Sequence, residues 1–82
     1  MTRLIVIDRK SQTTKFDVTP KTLAHTLWGS DVPEITILIE VNGNVEMFDW
    51  STVFHGNGLS LTIFLDALHL KILGMEHKYG NP

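Results

Sequence analysis

The stretch Glu34 to Val41 constrains the fold more than any other part of the chain. Ile35, Ile37, Ile39 and Val41 alternate with Thr36, Leu38 and Glu40, the period-two pattern of a strand that buries one face. Asn42-Gly43-Asn44 then marks a hairpin turn, and Val45 to Trp50 is the returning arm. Register matters here, because a slip of one residue turns every side chain to the opposite face. A two-residue Asn42-Gly43 loop sets Ile39 beside Glu46 and Ile37 beside Phe48, mixing charge with apolar side chains. A three-residue loop aligns Ile37, Ile39 and Val41 with Asp49, Met47 and Val45, and this is the register the pattern favours. Its outer face carries Thr36, Leu38, Glu40, Glu46, Phe48 and Trp50.

The rest of the chain supplies partners for that hairpin. Leu4 to Asp8 is a short Ile/Val-rich strand. After the polar stretch Arg9 to Thr14, the segment Thr14 to Val18 alternates, with Phe16 and Val18 on one face and Lys15 and Asp17 on the other. Thr19-Pro20 reads as an N-cap followed by proline at the first helical position. Leu23 and Leu27 form the inner stripe of the helix, joined by Ala24 and Trp28, and Gly29 stands just past its end. Ser30 to Pro33 is a loop. Ser51 to Gly58 is irregular, broken by Gly56-Asn57-Gly58. Leu59 to Ile63 alternates as a strand would, yet Leu61, Phe64, Leu65, Leu68 and Ile72 keep helical spacing until Gly74, so length favours a helix from Leu61 to Leu73. The expected fold is α+β, with elements in ββαββα order and a four-stranded, mainly antiparallel sheet with two helices packed on one face. Residues 1–78 form a single domain and 79–82 a frayed tail, since a chain of 82 residues has room for one core.

Composition narrows the chemistry. At 43% hydrophobic and 20% charged residues, the chain carries enough apolar material to fold. It has no cysteine, so disulfides, thiolate nucleophiles and cysteine-based zinc sites are excluded. His25, His55, His69 and His77 show no metal-ligand spacing. His69 and Glu76 would share a helical face only if the helix ran past Gly74, so no metal or cofactor is expected. Ser51, His55 and Asp66 are the least implausible triad, but no nucleophile elbow or oxyanion element accompanies them. Glu40 and Glu46 stand opposite one another in the favoured register, where repulsion would raise one pKa, though on a face too open for acid/base catalysis. Gly43 and Gly56-Asn57-Gly58 are turn glycines without the lysine of a phosphate loop. The chain is expected not to be an enzyme. Four consecutive apolar residues, Leu4 to Ile7, make neither a leader nor a membrane span, so the expected location is cytoplasmic.

The net charge of −2 conceals three blocks. Residues 1–21 hold Arg3, Arg9, Lys10, Lys15 and Lys21 against Asp8 and Asp17. Residues 22–70 hold Asp31, Glu34, Glu40, Glu46, Asp49 and Asp66 with no Lys or Arg. Lys71, Lys78 and Glu76 close the chain. An acidic stretch of this kind either orients a charged partner or simply solubilises a surface. Leu38, Phe48 and Trp50 would form an apolar island on the outer sheet face beside Glu40 and Glu46, with Asp49 adding steering charge; tryptophan is enriched at binding hot spots. The competing reading is that a helix, or the loop Ser51 to Gly58, covers this island as ordinary core. Base stacking on these aromatics is disfavoured by the neighbouring carboxylates, and the basic cluster Arg9, Lys10 and Lys15 lies in the first hairpin, so nucleic acid is at most a minor contact there.

No family pattern is specific enough to name. In profile alone, a small, acidic, cysteine-free α+β chain without a catalytic motif resembles the inhibitors that phages encode, anti-CRISPR proteins among them. That resemblance implies a non-enzymatic inhibitor or regulator. The expected partner-binding residues are Leu38, Glu40, Glu46, Phe48, Asp49 and Trp50, and the expected partner is a protein with a basic surface. The alternative is a structural homodimer, formed through the apolar helix or the sheet face.

Overall fold

A computed structural model describes residues 1–49 and 61–80. Strand β1 (Thr2–Asp8) and strand β2 (Thr13–Val18) lead to a short helix α1 (Leu23–Thr26) and a single 3-10 turn (Val32–Glu34). Strand β3 (Ile35–Val41), strand β4 (Asn44–Asp49) and the long helix α2 (Leu61–Tyr79) follow. The four strands form one antiparallel sheet in the order β2-β1-β3-β4, an α+β arrangement. The expected irregular segment Ser51 to Gly58, together with Trp50, Leu59 and Ser60, lies outside the described residues.

The β3–β4 hairpin adopts the register that the sequence pattern argued against. Val41 faces Asn44, Ile39 faces Glu46 and Ile37 faces Phe48. The loop is therefore the two residues Asn42 and Gly43, both at positive φ (49° and 85°), as a type I′ turn requires and as Asn-Gly supplies at little strain. Charge patterning failed as a guide because Glu46 finds its own partners on α2, so a carboxylate beside Ile39 is accommodated.

The β1–β2 hairpin departs from simple alternation for a different reason. Leu4 pairs with Val18 but Val6 pairs with Lys15, so β2 holds one extra residue between these pairs, and Asp17 sits at φ 56°. This β-bulge resets the facing of the strand. Val18 is buried, whereas Phe16, expected on the same face, is 68% exposed.

The core lies on the face that α2 covers. Leu4 and Val6 of β1, Val18 of β2 and Ile35, Ile37, Ile39 and Val41 of β3 meet Phe64, Leu68, Ile72 and Met75 of α2. Leu23 of α1 and Leu27, just past its end, join the same cluster, with Val32. Helix α2 does not stop before Gly74 but continues to Tyr79; glycine lowers helix propensity by only about 1 kcal/mol, which Met75 and Tyr79 offset by packing against the core. Tyr79, assigned to a frayed tail by the sequence pattern, is the last helical residue. Its carbonyl accepts from Asn42 Nδ2 at 3.0 Å. Helix α1 is shorter than expected. Thr19 and Pro20 precede it in a turn, where the Thr22 hydroxyl donates to the Thr19 carbonyl at 3.2 Å and accepts from the Thr19 N–H at 3.2 Å. Trp28, expected on the inner stripe, is 81% exposed beyond the helix end.

Candidate functional site: the open sheet face

The six residues expected to form one surface divide between two faces. Leu38 and Glu40 stay on the outer face, and Asp49, inward in the expected register, joins them there opposite Thr36. Glu46 and Phe48 turn to the inner one with Ile39 and Ile37, and Trp50 lies outside the described residues. Phe48 packs edge-on against Phe64 of α2, with ring centroids 5.5 Å apart, which makes it part of the sheet–helix contact. Glu46 accepts hydrogen bonds from Lys71 Nζ at 2.5 Å and Tyr79 Oη at 2.6 Å, with Lys78 Nζ at 4.0 Å. These donors hold its carboxyl below the ordinary carboxylate range, Lys71 contributing most and Tyr79 next. The expected Glu40–Glu46 repulsion is absent because Glu40 pairs with Val45, and its carboxylate faces away from Glu46.

The same register change brings Val45 and Met47 to the outer face, and the bulge adds Phe16. These three are 58%, 61% and 68% exposed. They surround Ile5 of β1 and Leu38 of β3, which are half-buried, and Phe16, Ile5, Leu38 and Val45 line one shallow depression with Arg3 and Glu40. Neither Val45 nor Met47 stood out in the sequence, since both belonged to the inner face of the rejected register. Phe16 was missed because nothing in Lys15-Phe16-Asp17 announces a bulge to a pattern of strict alternation.

The charges on this face are paired. Arg3, directly opposite Glu40, donates to its carboxylate at 2.9 Å and lies 3.6 Å from Asp17. Arg9 lies 3.9 Å from Asp49 and donates to the carbonyl oxygens of Pro33 and Glu34 at 2.6 and 3.3 Å. Away from this face, Asp31 meets Lys10 at 3.5 Å. Four carboxylates of the acidic central block, Asp31, Glu40, Glu46 and Asp49, are thus matched by cations from the two basic ends of the chain. The charge separation seen along the sequence is largely cancelled in space, and the outer face is an apolar centre with a mixed-charge rim.

The chain matches no protein-family model, no curated protein and no solved structure. Among the described residues, no group of three or more His, Asp or Glu side chains is arranged to hold a metal ion, although α2 does run past Gly74 between His69 and Glu76. The triad candidates Ser51 and His55 lie outside the described residues. No helix among the described residues is long and apolar enough to cross a membrane.

Proposed function

We propose that the chain is a small non-enzymatic protein-binding domain, an inhibitor or regulator, that docks through the outer face of its sheet. On this reading the ββαββα succession puts both helices on the inner face and leaves the other free; the single core cluster shared by α1 and α2 supports it. The observation that carries the proposal is the grouping of Phe16, Val45 and Met47, all more than half exposed, around half-buried Ile5 and Leu38. A contiguous apolar centre with a polar rim has the anatomy of an interface. Glu40 and Asp17 share Arg3 between them, so the rim keeps a small acidic excess that suits a partner with basic groups around an apolar contact. The profile resemblance to phage-encoded inhibitors points the same way by association only.

The test is affinity capture from the native host with the wild-type chain and a Phe16→Ala/Met47→Ala double variant, with circular dichroism as the folding control. The proposal expects the variant to fold and to lose the protein that the wild type retains. Equal retention of that protein by a folded variant sinks it.

A second reading, a structural homo-oligomer, is favoured by Leu70 and Leu73, which are 71% and 62% exposed on α2. Light scattering separates the two. A dimer that Leu70→Glu dissociates supports the oligomer, whereas a monomeric wild type removes it.

A further inference from the structure

The other side of the molecule holds a polar cleft where α1 ends against the first hairpin. Two adjoining depressions of about 340 and 380 Å³ share Asp8, Ser11, Lys15, Thr26 and Ser30, a size within the range of small-molecule sites. Val6 and Ile35 line the first and Trp28 the second. The fold itself creates this space. The bulge places Lys15 opposite Val6, towards the inner side of the sheet. Leu23 of α1 and its C-cap Leu27 take the buried positions, and the next residue, Trp28, turns out to solvent. Gly29, at φ 82°, and the 2.9 Å bond from Ser30 N–H to the Leu27 carbonyl then reverse the chain beside it.

The charges of the cleft are not equivalent. Asp8 Oδ1 accepts the backbone N–H groups of Lys10 and Ser11 at 3.0 and 3.1 Å, so it serves the hairpin turn. Asp31 and Lys10 hold each other. Lys15 makes no ion pair among the described residues and shares the cleft lining with Ser11, Thr26 and Ser30; the Ser11 hydroxyl bonds that of Thr13 at 2.8 Å, and the Thr26 hydroxyl donates to the Thr22 carbonyl at 2.9 Å. An ammonium without an ion-pair partner is the group of this cleft suited to an anion, with Asp8 held by its two backbone N–H groups. Trp28 at the rim offers an aromatic face that is almost wholly exposed, where a planar ring can stack.

We infer that this cleft binds a nucleotide unit, with the base on Trp28 and the phosphate on Lys15. The shared chemistry is a planar heterocycle joined to a phosphate. The unit comes either as a free mononucleotide or as part of a single strand, where stacking on tryptophan is tolerant of sequence. The site is independent of the outer sheet face, which lies on the opposite side of β1 and β3.

The test is a ¹⁵N NMR titration of the full chain with AMP, adenosine and a short single-stranded oligonucleotide at low salt, following the backbone amides of the cleft-lining residues Ser11, Lys15 and Ser30 in every variant. Saturable shifts with AMP, weakened roughly tenfold or more by Trp28→Ala and by about tenfold for Lys15→Ala, are expected. Lys21→Ala, an equal change of net charge away from the cleft, should leave affinity unchanged. Adenosine should bind the wild type as weakly as AMP binds Lys15→Ala. A stronger response to the oligonucleotide than to AMP identifies the strand as the source, and the reverse identifies the free nucleotide. No saturable shift with either phosphate-bearing probe, or equal losses for Lys15→Ala and Lys21→Ala, overturns the inference.

Discussion

The two hairpins of this protein obey the same alternation rule and break it in different places. In β3–β4 the backbone is regular and the chemistry is irregular. An Asn-Gly turn sets the register, and Glu46 lands on the inner face, where Lys71 and Tyr79 receive it. In β1–β2 the chemistry of the residues is ordinary and the backbone is irregular, with an extra residue at Phe16–Asp17 sending an aromatic to the outside. One hairpin is braced by a long helix, while the other exposes five of the six residues of its edge strand. Backbone turn chemistry therefore outranks side-chain charge in setting a register when a neighbouring element can neutralise the charge.

The strongest way to break this comparison is to remove the brace. Phe64 is fully buried and meets Phe48 across the sheet–helix contact, so Phe64→Ala should cost about 3–5 kcal/mol in chemical denaturation, enough to unfold much of so small a domain. A cost no larger than that of an exposed substitution would show that α2 does not support the second hairpin. The turn comes next. Gly43 at φ 85° leaves Gly43→Ala strained by about 1–2 kcal/mol, read from the same denaturation midpoint. A neutral result would mean the turn is not of the I′ type.

The bulge is tested by a pair of variants. Asp17→Ala and Asp17→Gly both delete the contact with Arg3, so their difference isolates the backbone. With Asp17 at φ 56°, glycine should be the more stable by about 1 kcal/mol, whereas equal stabilities would place residue 17 in an ordinary strand conformation. The smallest effect belongs to Glu46→Gln, and its signature is pH. The folded-state pKa of Glu46 is depressed, so its contribution is present above the unfolded-state value and is lost as pH falls through the folded one. Thermal melts of wild type and variant should therefore differ at neutral pH and converge in acid, below the ordinary carboxylate range. A gap that persists there would assign the effect to packing.

Much of the scaffold was legible in the sequence. Alternation from Ile35 to Val41, the Asn-Gly turn, the apolar strand at Leu4 to Ile7 and the helical spacing of Phe64, Leu68 and Ile72 all report local chemistry, and each corresponds to an observed element. The site was less legible because its membership depends on long-range events. The expected register turned Asp49 inward, while Leu38 and Glu40 were placed on the correct face. Glu46 and Phe48 were not, since only the position of Lys71, Tyr79 and Phe64 on a helix distant in sequence makes their inward orientation favourable. Phe16 and Trp28 escaped for a related reason. A bulge and the end of a four-residue helix each reverse a side chain, and neither has a signal in residue spacing alone.

The bulge has a consequence beyond the direction of Phe16. A sheet edge with a straight run of unpaired amides and carbonyls is a template on which a further strand, from another copy or a misfolded chain, can grow. In β2 that run is interrupted one residue before its end by Asp17 in the left-handed conformation, with charged Lys15 two residues before it. The edge is twisted out of register with any flat incoming strand, and extension must bury a charge to proceed. The same extra residue that opens one face of the sheet thus closes its border to uncontrolled addition.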